Sequence, residues 1–288
     1  MKLRLEKWYL DLSSADDVGF YYILTVSLGR LTIGFSGITH SDGSRSLRSF
    51  RFSRVRDRSR HVLRLGNAQL SSTLRKADVR IDHGKASITG TWRFCAPPQP
   101  RRFRPLYRNE RGWCDWKVWT PKAEVKLLIR ENGRVRRVRG TGYIDFVRST
   151  FPFWKSPLRS LYWGRMHSPS SWRIFLCLQT EDRRVAQYLD SQTAETDVDV
   201  RLNRDSGGRP LSMDWQLGKG RGDLRLQARV NRILESQEIL KKGRLLRIVP
   251  PLVRKPLNSY GRDEKYAVTA WFRDEHHRGI MEEVFWNE

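Results

Sequence analysis

The segment from Gly140 to Asp145 carries side chains that are well suited to chemistry. It reads Gly-Thr-Gly-Tyr-Ile-Asp, so Tyr143 and Asp145 are two residues apart. In a β-strand, residues two apart project from the same face, and the phenol and the carboxyl group would then share one environment. A carboxyl group among aromatic rings resists ionisation, and in its protonated form it can act as a general acid near neutral pH.

Aromatic residues flank this segment in the sequence and could line the same site. The candidates are Trp116, Trp119, Tyr162, Trp163 and, with them, Arg165. The face of a tryptophan ring stabilises a cation lying over it. A proton donor beside such rings suits protonation of an alkene and control of the resulting carbocation. The alternative interpretation is that the rings fill a barrel core and that Asp145 forms a turn or pairs with an arginine.

Most of the chain shows a periodicity of two, which is typical of β-strands. The stretch from Phe20 to Ile38 predicts two strands that are separated near Gly29. Hairpin turns are predicted at Asp82-His83-Gly84 and at Glu131-Asn132-Gly133, because each connects two alternating runs. The run from Gly279 to Trp286 is predicted to close a sheet.

Helical patterns are scarce. A short helix is predicted only at Arg184–Asp190, and Gln237–Lys242 is ambiguous. Many short strands at regular spacing indicate a β-sandwich or β-barrel. The sequence therefore predicts an all-β protein that consists of antiparallel barrel or sandwich domains with few helices.

A proline-rich stretch at Phe151–Pro157 is the predicted domain boundary, because strand patterns resume on both sides of it. We expect one domain at residues 1–155, which would carry Tyr143 and Asp145, and a second domain at residues 156–288. A second proline-rich stretch, Ala96–Pro105, predicts a loop within the first domain.

The protein is strongly basic, with a formal net charge of +24 over 288 residues. Such a charge attracts polyanions, either nucleic acid or an anionic membrane surface. The aromatic content of 11% argues against disorder. The three cysteines, Cys95, Cys114 and Cys177, have no spacing typical of a disulfide framework or a zinc site. Neither a signal peptide nor an apolar membrane span is recognisable, so we expect a cytoplasmic protein whose membrane contact would be peripheral.

The densest basic run extends from Arg51 to Arg64. It predicts either a solvated strand-and-loop face or a docking surface for anionic lipid, where each Lys or Arg contributes on the order of 1 kcal/mol. Nucleic-acid binding is disfavoured, because the sequence contains no RNP motif, zinc finger or helix-turn-helix.

Other chemical motifs in the sequence are weaker. The glycine-rich Gly218–Gly222 lacks the spacing of a phosphate-binding loop, and His276 and His277 are assigned to a turn because no second cluster of metal ligands accompanies them. We therefore expect no metal or cofactor. Asp214, beside Trp215, remains a second candidate for an acid.

Three segments together resemble the carotenoid 1,2-hydratase (hydroxyneurosporene synthase) family. They are Trp-Lys-Val-Trp-Thr-Pro from Trp116, Gly-Thr-Gly-Tyr-Ile-Asp from Gly140, and Leu-Tyr-Trp-Gly-Arg from Leu161. The opening Trp8-Tyr-Leu-Asp11 also lies where that family has a similar segment. The family belongs with AttH-like proteins and certain lipocalin-like Diels–Alderases.

This resemblance implies two lipocalin-like β-barrel domains with a site for a hydrophobic small molecule in or between them. It also implies that Tyr143, Asp145 and Trp116 take part in protonating an isoprenoid double bond, and that Arg165 matches the arginine of the family's Trp-rich segment. No cofactor or metal is implied.

The sequence departs from the hydratases in ways that bear on the reaction. Cys114 stands where they commonly have a histidine, and Phe146-Val-Arg-Ser replaces a more polar stretch after the Asp. A drier site favours capture of the carbocation by an internal alkene or hydroxyl group, which is cyclisation, over capture by water. Two alternatives stay open: a pericyclase acting on a polyene–polyketide, which would need no acid, and a non-catalytic lipid-binding protein.

Overall fold

The computed structural model describes residues 3–29, 31–42, 46–58, 62–95, 106–151, 157–191, 194–195, 198–207, 210–217, 225–238, 262–272 and 275–285. Every regular element among these residues is a β-strand, which confirms the predicted all-β class. By its internal contacts the chain divides into two compact units, Met1–Pro152 (unit 1) and Phe153–Glu288 (unit 2). In the described part of the chain, helices long and apolar enough to cross a membrane are absent.

Unit 1 is built from one antiparallel sheet. Its strands are β1 (Leu3–Ser13), β2 (Val18–Leu28), β3 (Leu31–Ser41), β4 (Ser46–Arg58), β5 (Val62–Leu65), β6 (Ala68–Ser72), β7 (Lys76–Asp82), β8 (Ala86–Phe94), β9 (Tyr107–Asn109), β10 (Gly112–Glu131) and β11 (Arg134–Ser149). Strands β1 to β8 follow one another as a meander, β10 pairs with β8, and β11 pairs with both β10 and β1. The sheet therefore closes into a barrel, with β9 added at the edge of β10.

The turns of unit 1 follow the turn chemistry of the sequence. Asn132 and Gly133 join β10 to β11 with φ values of 48° and 83°. Positive φ at both central residues is the requirement of a tight hairpin turn, and Asn-Gly meets it at low cost. Gly84, with a φ of 87°, lies in the connection from β7 to β8. Both predicted hairpins are confirmed, and so is the break between β2 and β3 near Gly29.

The interior of the unit 1 barrel is packed with side chains. Buried and exposed residues alternate along β8, as expected for a strand with one face in a core. Leu10, Leu12 and Ile144 are fully buried in this cluster, together with the larger Tyr21 and Trp92. We call this cluster of packed interior side chains, most of which are aliphatic, the aliphatic core.

Unit 2 contains the remaining strands. They are β12 (Leu158–His167), β13 (Trp172–Thr180), β14 (Arg184–Asp190), β15 (Ala194–Glu195), β16 (Val198–Arg204), β17 (Pro210–Leu217), β18 (Arg225–Glu238), β19 (Arg262–Phe272) and β20 (Glu275–Phe285). The sheet order is β15-β14-β13-β12-β20-β19-β18-β17-β16. Arg184 Nη2 donates to the Val200 carbonyl at 2.7 Å, so the sheet curls until β14 lies beside β16.

The structure corrects two predictions in unit 2. Arg184–Asp190 is strand β14 and not a helix, because it pairs in register with β13 over its whole length and buries four consecutive residues. His276 and His277 are not in a turn but inside β20, where they pair with β19. The prediction for the run from Gly279 is confirmed as far as Phe285, because β20 joins β12 to β19. Gln237 and Glu238 end β18, and residues 239–242 lie outside the described part.

Candidate active site on strands β1, β10 and β11

Tyr143 and Asp145 project from the same face of β11, as their spacing predicts. Their exposed fractions are 0% and 1%, so both are buried. The residue between them, Ile144, belongs to the aliphatic core inside the barrel. The phenol and the carboxyl group therefore lie on the outer face of the barrel wall.

Strand β1 adds a second tyrosine and a second aspartate to this face. In the pairing of β1 with β11, Tyr9 lies opposite Asp145 and Asp11 lies opposite Tyr143. All four side chains are buried, and the rings of Tyr9 and Tyr143 are 6.3 Å apart between centroids. We call Tyr9, Asp11, Tyr143 and Asp145 the Tyr–Asp quartet.

Two glycines allow β11 to approach β1 closely at the quartet. A Cβ atom on Gly142 would lie 2.3 Å from the Asp11 carbonyl oxygen and 2.7 Å from Trp92 Nε1. The indole of Trp92 uses this space to donate a hydrogen bond of 2.8 Å to the Asp11 carbonyl. A Cβ on Gly140 would lie 2.5 Å from the Ser13 carbonyl oxygen. The glycines of the Gly-Thr-Gly-Tyr-Ile-Asp segment therefore fix the backbone beneath the quartet.

Trp116 joins the quartet from β10. It pairs with Val147, and Val118 pairs with Asp145, so Trp116 and Val118 share the face of the quartet. The ring of Trp116 is buried, with 1% exposed. The geometry thus brings together Trp116, Tyr143 and Asp145.

Trp119 occupies a different environment from Trp116. The two residues are three apart on β10, so their side chains project from opposite faces of the strand. Trp119 packs edge-on against Trp8, with 5.1 Å between ring centroids, and both rings lie against the aliphatic core. Phe146 contacts Trp8 at 4.8 Å and extends this second aromatic cluster.

The electrostatics of the site keep the phenol of Tyr143 protonated. Burial raises the pKa of Tyr143 well above its ordinary value, and the negative charge of Asp145, the hydrogen bond to Asp145 and the charge of Asp11 raise it further. A hydrogen bond from Trp116 opposes this rise. Trp116, Tyr143 and Asp145 are therefore polar side chains on one buried face, and Tyr143 interacts with both of the others.

Cys114, which stands where the resembling family commonly has histidine, is buried on the same side of β10 as Trp116. Burial raises the pKa of its thiol to about 12, the charge of Asp115 adds to the rise, and a hydrogen bond with Ser149 opposes it. The thiol is therefore neutral at physiological pH and cannot serve as the base that a histidine would provide.

The other predicted site residues belong to unit 2. Trp163 and Arg165 are two apart on β12 and buried on one face, and Arg165 Nη1 donates to His167 Nδ1 at 2.6 Å. Tyr162 projects from the opposite face and accepts a hydrogen bond of 3.2 Å from Arg204.

Asp214 is half-buried on β17 of unit 2. Within the described residues, no group of three or more His, Cys, Asp or Glu side chains could hold a metal ion.

Sequence reasoning placed Tyr143, Asp145 and Trp116 in the site but did not assign Tyr9 and Asp11 to it. The signal was present, because Tyr9 and Asp11 repeat the two-residue spacing of Tyr143 and Asp145. The pairing of β1 with β11, which makes the spacing meaningful, joins the first and last strands of the unit and is not visible locally.

Comparison with known proteins places the fold. No family model and no curated protein matches the sequence. A crystal structure of an AttH protein from Nitrosomonas europaea matches with a TM-score of 0.67 at 13% identity, over 99% of this chain and 93% of that one. CghA in complex with Sch210972 matches with a TM-score of 0.69 at 11% identity, over 99% and 89%.

Kievitone hydratase from Nectria haematococca matches with a TM-score of 0.58 at 10% identity, over 98% of this chain and 88% of that one. At such identities the likeness concerns the fold. The chain has the lipocalin-like β fold of these proteins along nearly its whole length, as the resemblance of its motifs predicted.

Proposed function

We propose that this protein is a cofactor-independent enzyme that protonates an alkene or epoxide of a hydrophobic isoprenoid. The observation that supports this proposal best is the buried carboxyl group of Asp145, on one face with Tyr143 and Trp116. Burial disfavours the ionised form of a carboxyl group, and a carboxyl group that stays protonated near neutral pH can act as a general acid.

The proposed reaction begins with proton transfer from Asp145 to a terminal carbon of the alkene. The π electrons form the new C–H bond, and the neighbouring carbon becomes a tertiary carbocation. The hydroxyl of Tyr143, which burial keeps protonated, donates a hydrogen bond to the carboxylate that remains. The ring of Trp116 lies on the same face and can stabilise the cation. The proposal relies on Trp116 because Trp119 packs on the core side.

Capture of the cation completes the reaction. In cyclisation, an internal alkene or hydroxyl group attacks the cation, and a proton then leaves to the carboxylate of Asp145. In hydration, water attacks and loses its proton to the same carboxylate. We favour cyclisation, because Val118 and Val147 make the neighbourhood of Asp145 apolar and the neutral thiol of Cys114 cannot activate water.

Turnover in D₂O tests the proposal. The purified protein is incubated with lycopene, squalene and 2,3-oxidosqualene, and the products are analysed by mass spectrometry. An enzyme that protonates carbon leaves one non-exchangeable deuterium in the product, because a carboxyl proton exchanges with solvent before it is transferred. Protonation of an epoxide places the proton on oxygen, where it exchanges with solvent. Reaction of the epoxide is therefore detected by the formation of a cyclised product.

Asp145→Asn is expected to lower turnover by about 10²-fold or more, which is the usual contribution of a general acid. Asp115→Asn is the matched control. Asp115 is a half-buried aspartate on the neighbouring strand β10, and it pairs with Arg148 of β11. Full turnover in Asp145→Asn would contradict the assignment of the acid. Failure of the wild-type protein to convert any of these compounds would contradict the substrate class.

Holding a reactive small molecule without acid chemistry is the second candidate function. It is supported by the shared fold of CghA, which was crystallised with Sch210972, and by the aromatic cluster of Trp8, Trp119 and Phe146. Under this function Asp145→Asn would be mild and Trp8→Ala would be damaging. A lipid carrier, in turn, would retain a bound lipid in native mass spectrometry that no incubation converts.

A further inference from the structure

We propose that Asp11 and Asp145 act as a coupled pair that holds one proton at neutral pH, and that this is the proton delivered to the substrate. The inference rests on the proposed function and names the group that keeps Asp145 protonated. Asp11 is here a positioning residue, because it acts through Asp145.

The register of β1 and β11 places the two carboxyl groups on one face. Asp11 lies opposite Tyr143 and Asp145 lies opposite Tyr9, so the two aspartates are diagonal neighbours. Diagonal neighbours in an antiparallel pair are about 7–8 Å apart, and charges at that separation still interact in a low-dielectric interior. The exposed fractions of Asp11 and Asp145 are 0% and 1%, so both carboxyl groups are shielded from bulk water.

Tyr143 provides the link between the two carboxyl groups. Burial raises the pKa of its hydroxyl, and the charges of both Asp145 and Asp11 raise it further. A phenol that responds to both carboxylates lies within the field of each. Ionisation of one member therefore makes ionisation of the other less favourable, because both charges would lie in the same buried surroundings.

The remaining charged and titratable groups on this face of the described strands include tyrosines, one cysteine and one lysine, together with Glu124, Lys126 and Arg139 further along β10 and β11. Tyr9 comes from β1, Tyr22 from β2, and Cys114 from β10. Lys7 of β1 holds its ammonium group 5.5 Å from the centroid of the Tyr9 ring and 5.9 Å from that of Tyr22.

The backbone of Asp11 is fixed in a way that suits this role. The indole of Trp92 donates to the Asp11 carbonyl through the space left by Gly142. This contact holds the strand and leaves the carboxyl group on the opposite face. The position of Asp11 relative to Tyr143 is therefore set from inside the barrel.

Infrared difference spectroscopy on the substrate-free protein tests the pair directly. The carbonyl band of a protonated carboxyl group is recorded at pH 7 for wild type, Asp11→Asn, Asp145→Asn and the control Asp115→Asn. A coupled pair predicts that either quartet substitution removes the band that wild type shows, because the surviving carboxyl group ionises. Retention of the band in Asp11→Asn, or its absence from wild type, would overturn the proposal.

The pH dependence of turnover gives an independent readout with whichever of the three isoprenoids is converted. In Asp11→Asn the surviving carboxyl group loses its proton at lower pH, so the alkaline limb of the profile moves down by about one pH unit and turnover at pH 7 falls about tenfold. Lowering the pH restores turnover in Asp11→Asn but not in Asp145→Asn. An unchanged profile in Asp11→Asn refutes the pair, whereas full turnover in Asp145→Asn refutes the proposed function itself.

Discussion

Gly142→Ala is expected to destabilise unit 1 and to disturb the quartet, because the added methyl group has no space. Its Cβ would lie 2.3 Å from the Asp11 carbonyl oxygen, 2.5 Å from Val125 Cγ2 and 2.7 Å from Trp92 Nε1. Overpacking of this kind costs about 1–3 kcal/mol. Weakening the hydrogen bond from Trp92 to Asp11 adds about 1 kcal/mol.

The lower entropy of the unfolded alanine chain offsets about 0.5–1 kcal/mol of this loss. The net decrease in the free energy of unfolding is then about 1–3.5 kcal/mol. With a urea dependence of about 3 kcal/mol per molar for a chain of this size, the midpoint of urea unfolding falls by about 0.3–1.2 M.

Tryptophan fluorescence in urea measures this change, and Thr141→Ala is the matched control, because it alters the same strand without adding an atom. A midpoint for Gly142→Ala within about 0.2 M of wild type would refute the close approach of β11 to β1. Turnover measured on the same variant shows whether the quartet depends on this backbone contact.

Two further predictions concern pH and membranes. The pKa of His83 is lowered from 6.5 to about 4, because burial and the charge of Arg51 outweigh the opposing charge of Asp82. The unfolded chain therefore binds more protons than the folded one between these values, and stability falls as the pH falls through that window. The melting temperature of His83→Asn should decrease less than that of wild type between pH 7 and pH 4.5, and equal decreases would contradict the shift. Arg51 and Arg64 are exposed on β4 and β5. The double variant with Arg51→Glu and Arg64→Glu is expected to sediment less with vesicles that contain phosphatidylserine. Vesicles of phosphatidylcholine alone are the control. Unchanged sedimentation of the double variant would assign the basic run to a solvated face.

The fold was largely predictable from local patterns. Alternation along β8 and the Asn132-Gly133 turn predict a strand and a hairpin because each depends on neighbours in the sequence. One exception was β14, where seven residues, Arg184–Asp190, were too few to separate a helical period from a strand buried on both faces.

The site was predictable only in part, and the reason is again the range of the interactions. The spacing of Tyr143 and Asp145 shows that they share a face, and this follows from one strand alone. The contribution of Tyr9 and Asp11 depends on the pairing of β1 with β11, more than 130 positions apart in the chain. Trp116 and Trp119 are three residues apart on β10, so alternation alone places them on opposite faces, and this difference could have been predicted from the sequence.

The closure of the unit 1 barrel by β1 and β11 has a consequence for biosynthesis. On the ribosome β1 emerges first, and its aspartate and tyrosine have no partner strand until the chain has been extended through Ser149. Pairing of such distant segments is slow compared with the formation of local hairpins. The seam that carries the quartet is therefore expected to be among the last parts of the unit to form, so that a nascent or truncated chain lacks the proposed acid until the barrel is complete.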